Sequence, residues 1–170
     1  MIFPLWIAIP VGILVATASW TDVRTGRIPN MLSLSALVLG LAARLAFQGS
    51  GGLVQGLEGA LLVGGLLFPG WLVGWMGAGD VKLMAAVGAW LGLPYALFAL
   101  LASLIAGGVV ALVAAARTGN LKRMVFGAVR LGAWLTIGAG HGAPPATSGV
   151  RFPFAIAILL GTSVIFWGYR

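Results

Sequence analysis

The sequence predicts an all-α integral membrane protein with about six transmembrane helices, and three observations support this class. Of the 170 residues, 61% are hydrophobic and only 8% are charged. The apolar residues form continuous runs instead of the alternating pattern of a barrel strand. The 27 Gly and seven Trp residues suit close helix packing and anchoring at the membrane interface. We expect a single membrane-embedded domain over residues 1–170, without a separate soluble domain.

The composition also narrows the classes of function. The chain has no Cys, which excludes disulfides, thiolate catalysis and Cys-based zinc sites. Its net charge is +7, but the basic residues are spread among predicted loops and form no dense patch. Loop charge that sets membrane topology explains this better than a nucleic-acid partner. We therefore expect no nucleic acid to bind.

Six apolar segments follow one another along the chain, and we predict helices over 2–20, 31–47, 56–76, 80–92, 95–116 and 153–167. The first resembles a signal peptide, but no basic residue precedes it, so we expect a retained helix. A polar loop over 21–30 and a Gly/Ser turn over 48–55 separate the first three helices. The fourth helix is short, roughly 20 Å against a bilayer core of about 30 Å. Its length therefore indicates that Asp80 lies below the membrane surface.

The basic residues predict an orientation. With six spans, both termini face outward and the Asp22 and Asp80 ends face the cytoplasm. The cytoplasmic side then carries eight basic residues, which are Arg24, Arg27, Lys82, Arg117, Lys122, Arg123, Arg130 and Arg151. The outer side carries Arg44 and Arg170. The segment Met124–Gly140 is apolar, but Arg130 lies at its middle, so we expect an interfacial or partly re-entrant helix there.

The chain has three carboxylates, Asp22, Glu58 and Asp80. Asp22 closes the first predicted helix and Asp80 opens the fourth, at the same membrane face, while Glu58 lies at the opposite face. Two neighbouring carboxyl groups share one proton, because both cannot ionise easily. The ionised member can then activate water, and the neutral member can protonate the leaving amine. This pair predicts aspartyl-type peptide hydrolysis without a metal or another cofactor.

Residues beside the pair have predicted roles as well. Gly77 and Gly79 leave space next to Asp80 for an extended substrate backbone. Lys82 either anchors its helix at the interface or tunes the proton of the pair. Pro29 and Asn30 are interpreted as turn and cap residues that position Asp22.

Each acid also has a structural interpretation. Asp80 suits the N-cap of a helix. Asp22 can be a loop acid that pairs with Arg24 or Arg27. His141, the only imidazole, is interpreted as a loop residue.

Two motifs carry a resemblance to a known family. The segment 22–30, Asp-Val-Arg-Thr-Gly-Arg-Ile-Pro-Asn, resembles the first-aspartate motif of the type IV prepilin peptidases. The segment 77–83, Gly-Ala-Gly-Asp-Val-Lys-Leu, followed by Gly-Ala-Trp-Leu-Gly at 88–92, resembles their second motif. The segment 152–155, Phe-Pro-Phe-Ala, resembles the start of their last helix. The three segments occur in the family's order and span most of the chain.

The resemblance implies a GxGD-type aspartyl protease of the inner (cytoplasmic) membrane, with Asp22 and Asp80 as the catalytic pair at the cytoplasmic face. Such enzymes cut the basic leader from prepilins just ahead of a hydrophobic helix. The implied partners are a prepilin, membrane lipid and the pilus assembly machinery. The small size is similar to that of members serving Flp (tight-adherence) pili. Larger members carry an additional cytoplasmic domain and methylate the new N-terminus. That domain is not expected in this sequence, so whether the protein also methylates its product stays open.

Two other functions stay open from the sequence. One is a transporter or proton-linked channel subunit that uses Asp80 as a cation site. The other is a non-catalytic subunit of a pilus or secretion machine. Substitution of each aspartate by Asn separates them, since only a protease needs both carboxylates.

Overall fold

The computed structural model describes residues 4–72, 74, 76–117, 119, 126, 129 and 154–168. Within these residues the chain forms five helices and no strand. The helices are α1 (Leu5–Thr25), α2 (Asn30–Leu72), α3 (Ala78–Leu91), α4 (Tyr95–Arg117) and α5 (Phe154–Gly168). The all-α class is therefore confirmed. The predicted interfacial segment Met124–Gly140 lies outside the described residues apart from two isolated positions.

Three helices of the described part, α1, α2 and α4, are long and apolar enough to cross a membrane, and α5 is a shorter apolar helix. Large apolar side chains also cover their outer surfaces. Leu61 of α2 is 73% exposed and Ile105 of α4 is 69% exposed. Such surfaces suit contact with lipid tails, which supports the membrane class. The total of six spans and the outward orientation of the termini stay predictions.

Helix α2 contains 43 residues and is interrupted at one position, Gly49, where φ is 68° and ψ is −160°. Glycine adopts this left-handed backbone without steric cost, so the chain turns there within a single residue. The predicted turn over 48–55 was therefore wrong in its extent, because the residues after Gly49 are helical again. We call residues 30–48 the first arm of α2 and residues 50–72 the second arm.

The C-terminal end of α1 also differs from the prediction. Helix α1 continues to Thr25 and ends at Gly26, which has a φ of 64° and donates its N–H to the Asp22 carbonyl. The Thr21 and Thr25 hydroxyl groups each donate to a backbone carbonyl about one turn earlier. The prediction that the loop begins at Thr21 was therefore wrong, and Asp22 lies in the last turn of a helix.

Helix α3 packs against both arms of α2, and glycines bring the backbones together. A Cβ atom on Gly88 would lie 2.6 Å from the Gly59 carbonyl oxygen. On the first arm, the Trp90 indole donates to the Ala36 carbonyl at 2.8 Å. Elsewhere α4 packs on α5, and α1 packs mainly on α5. The core between these helices contains Val11, Val15, Leu83, Val87, Leu100 and Ile158, among others.

Arg44, at the far end of α3 from Asp80, is buried and only 3% exposed. Its Nε donates to the Trp90 carbonyl at 2.9 Å, and its Nη2 donates to the Leu91 carbonyl. Its Nη1 donates to Gln48 at 2.9 Å and to Gln55 at 3.3 Å. A cation at a helix C-terminus is favourable because carbonyl groups are unsatisfied there. Arg44 was predicted to lie on the outer side of the membrane, and its burial was not predicted.

Candidate active site

Asp80 lies in the first turn of α3. Gly77 is extended, with φ −74° and ψ 146°, and the helix begins at Ala78. The Gly77 N–H donates to Asp80 Oδ2 at 3.2 Å. The N-cap position is therefore occupied by Gly77, and the carboxyl group of Asp80 reaches back to it from the first turn. This arrangement orients the half-buried carboxyl group.

The two glycines beside Asp80 have different surroundings. A Cβ atom on Gly79 would lie 3.1 Å from Ile28 Cβ, so this glycine lets the loop after α1 pack on α3. Gly77 is exposed, and a Cβ atom there would lie 3.3 Å from Asp80 Oδ2. The predicted space for a substrate backbone is therefore filled by Ile28 at Gly79, while Gly77 still offers an exposed approach.

Asp22, in the last turn of α1, is half-buried. Its carboxyl group lies beside the backbone N–H of Ala155. Ala155 lies in the first turn of α5, where backbone N–H groups have no partner within the helix. Arg24, a predicted alternative partner of Asp22, lies instead over the Trp20 ring at 4.2 Å from the ring centre. Within the described residues, Asp22 thus lies beside α5.

The two sequence motifs contact each other directly. Lys82 Nζ donates to Asn30 Oδ1 at 3.0 Å, which joins α3 to the start of α2. Ile28 packs on Gly79 in the same region. The Pro29 carbonyl accepts the Leu32 N–H at 3.1 Å, as expected of a residue that opens a helix. These contacts fix the loop between α1 and α2 against the helix that carries Asp80.

The two aspartates therefore lie at one end of the bundle, Asp22 at the end of α1 and Asp80 at the start of α3. They are close enough for the charge of Asp22 to act on the Asp80 carboxyl group. Glu58 is exposed on the second arm of α2. Its neighbour Gly59 packs on Gly88, toward the opposite end of α3. The two aspartates of the predicted pair thus lie at the same end of the bundle, away from the third carboxylate.

No three His, Cys, Asp or Glu side chains among the described residues are arranged to hold a metal ion. His141 lies outside the described residues. The acid–base groups that the described site offers are its two carboxyl groups and the Lys82 ammonium group.

Sequence reasoning missed two contributors to the site, Ser19 and Ala155. The Ser19 hydroxyl group shares its one hydrogen between the Val15 carbonyl at 2.7 Å and the Ala155 carbonyl at 2.9 Å. The sequence spacing could have indicated Ser19, since it precedes Asp22 by three residues and therefore lies on the same face of α1. Ala155 belongs to the segment 152–155, which had been identified only as the start of a helix.

Comparison with known protein families gives an independent result. The model of the type IV leader peptidase family matches residues 9–112, which include both aspartates and more than half of the chain. The comparisons with curated proteins and with solved structures gave no match. The described site places the two aspartates of the matched region at one end of the helix bundle. The chain therefore belongs to the type IV leader peptidase family, a family of aspartic-type peptidases.

Proposed function

We propose that the protein is a membrane endopeptidase that removes the basic leader from type IV or Flp-type prepilins at the cytoplasmic face of the inner membrane. Asp22 and Asp80 are the catalytic residues. One observation carries this proposal: two carboxylates from separate motifs and separate helices lie at one end of an apolar helix bundle, close enough for the charge of one to act on the other. Family membership supports the same reaction.

In the proposed reaction the ionised carboxylate takes a proton from water, and the water oxygen attacks the carbonyl carbon of the scissile peptide bond. The neutral carboxyl group donates a hydrogen bond to the carbonyl oxygen as negative charge develops there. The tetrahedral intermediate then breaks its C–N bond, and the amine leaves with a proton from the pair. The net change is the addition of one water molecule across the peptide bond.

Family membership supports a prepilin as the substrate, and the surroundings of the pair suit such a substrate. A prepilin combines a short basic leader with a hydrophobic helix, and the cleaved bond lies at their junction. The lipid-facing helices of this chain suit a substrate whose hydrophobic helix stays in the membrane. The exposed Gly77 beside Asp80 gives the extended backbone at the junction a route to the carboxyl groups.

The test is co-expression with a candidate Flp-type prepilin, with leader removal followed by gel shift. Asp22→Asn and Asp80→Asn should each abolish processing, because each removes one member of the proton-sharing pair. Glu58→Gln is the matched control, since it neutralises the remaining carboxylate and should leave processing unchanged. Immunoblots of the membrane fraction check that all variants accumulate equally.

The same variants distinguish the other functions. Processing that persists in either Asn variant would contradict the peptidase mechanism. A channel that uses Asp80 alone would tolerate Asp22→Asn, and an assembly subunit would tolerate both changes.

A further inference from the structure

Side chains of α1 lie beside both backbone polar groups of Ala155. The Asp22 carboxyl group lies beside its N–H, and the Ser19 hydroxyl group donates toward its carbonyl oxygen at 2.9 Å. Ala155 is fully buried and Ser19 is 6% exposed. Ser19 and Asp22 lie three residues apart on one face of α1. Both side chains can therefore contact the same residue of α5.

The contact to α5 is not needed to satisfy the Ser19 hydroxyl group. Ser19 also lies 2.7 Å from the Val15 carbonyl of its own helix, and such a bond is enough for a buried serine. Ser103 of α4, which is also buried, donates to the Ala99 carbonyl of its own helix at 2.6 Å. Ser19 differs because its hydroxyl group also lies within hydrogen-bond distance of a carbonyl oxygen of a second helix, at the residue beside Asp22.

We propose that Ser19 is a positioning residue: it holds the first turn of α5 so that the Ala155 N–H keeps the Asp22 carboxylate in place beside Asp80. This inference rests on the proposed function. A hydrogen bond from an N–H to a carboxylate favours the ionised form and fixes its direction. A carboxylate that takes a proton from a water molecule must also lie within hydrogen-bond distance of that water molecule. Loss of the Ser19 contact loosens this geometry without removing either carboxyl group.

The first measurement is the kinetics of the full-length protein, reconstituted in lipid, on a synthetic prepilin peptide. Ser19→Ala should lower kcat about tenfold and leave KM within about twofold, since the substrate-binding surface is unchanged. Ser19→Thr keeps a hydroxyl group and should recover most of the lost rate. The matched control is Ser103→Ala, which removes a buried hydroxyl group that also contacts α5, at Gly161. Its kcat should equal that of the unaltered chain.

The second measurement does not depend on activity. Carbodiimides react with protonated carboxyl groups, so the rate at which a hydrophobic carbodiimide modifies Asp22 reports how well its ionised form is stabilised. Peptide mass spectrometry should show a severalfold faster modification of Asp22 in Ser19→Ala, and no change in Ser103→Ala.

The outcomes separate the two proposals. If the unaltered chain does not cut the peptide, the proposed function fails, while the modification rate still decides whether Ser19 acts on Asp22. If the unaltered chain cuts and Ser19→Ala shows the same kcat and the same modification rate, the positioning role is overturned. It is also overturned if Ser103→Ala loses as much kcat as Ser19→Ala, because the effect then belongs to general packing on α5.

Discussion

Within the part of the chain that the structure describes, a backbone amide lies beside each aspartate of the pair. The Asp22 carboxyl group lies beside the N–H of Ala155, and Asp80 accepts the N–H of Gly77 at 3.2 Å. A backbone donor orients a carboxylate without adding a full positive charge, which would hold both carboxyl groups ionised. Under the proposed mechanism, such donors leave the pair able to share a proton.

One side-chain contact near the pair gives a prediction at the residue scale. Lys82 donates to Asn30 at 3.0 Å and joins the two motifs. Lys82→Met and Asn30→Ala should each lower kcat/KM by roughly two- to tenfold, because either change frees the loop after α1 from α3. The double variant should be no slower than the slower single variant, since both changes remove one interaction.

Arg24→Met is the control for loss of a basic side chain at this end of the bundle, since Arg24 contacts the Trp20 ring. Its kcat/KM should match that of the unaltered chain. If the kcat/KM losses of the two single variants multiply in the double variant, the hydrogen bond between Lys82 and Asn30 does not couple the motifs.

At the scale of elements, the sequence predicted the helices best where proline or glycine bounds them. Helix α4 starts at Tyr95 as predicted, and α5 starts one residue later than predicted, directly after Pro153. The end of α1 was missed, because the polar residues after Trp20 indicated a loop, whereas the helix continues to Thr25 and ends where Gly26 adopts a positive φ. The burial of Arg44 was missed as well, since hydropathy counts a charge without showing that helix-end carbonyl groups are available to bind it.

The contact between α2 and α3 gives a prediction at this scale. A Cβ atom on Gly59 would overlap the Gly88 carbonyl oxygen, whereas a Cβ atom on Gly65, in the same arm of α2, meets no atom within 4 Å. Gly59→Ala should therefore lower the free energy of unfolding by about 1–3 kcal/mol, the usual cost of overpacking. Gly65→Ala should be neutral or slightly stabilising, because alanine favours helix.

Thermal unfolding of the purified variants in detergent measures both effects. Equal melting temperatures for the Gly59 and Gly65 variants would contradict the close approach of α2 and α3.

At the scale of the whole molecule, the described helices pack as two groups. Helix α3 packs mainly with both arms of α2, while α4 packs on α5 and α1 packs mainly on α5. Asp80 belongs to the first group and Asp22 to the second. The relative position of the two groups therefore sets the separation of the carboxyl groups. The sequence predicted the pair from its motifs, but this division depends on side-chain contacts between distant segments, which no local pattern encodes.

The convergence of Asp22 and Asp80 at one site is the central claim, and cysteine cross-linking in native membranes tests it most directly. The chain has no Cys, so Asp22→Cys combined with Asp80→Cys introduces the only reactive pair. A short bifunctional maleimide should link this pair and should not link the control pair, Asp22→Cys with Glu58→Cys. Failure of the first pair to link, or equal linking of both pairs, would contradict the claim.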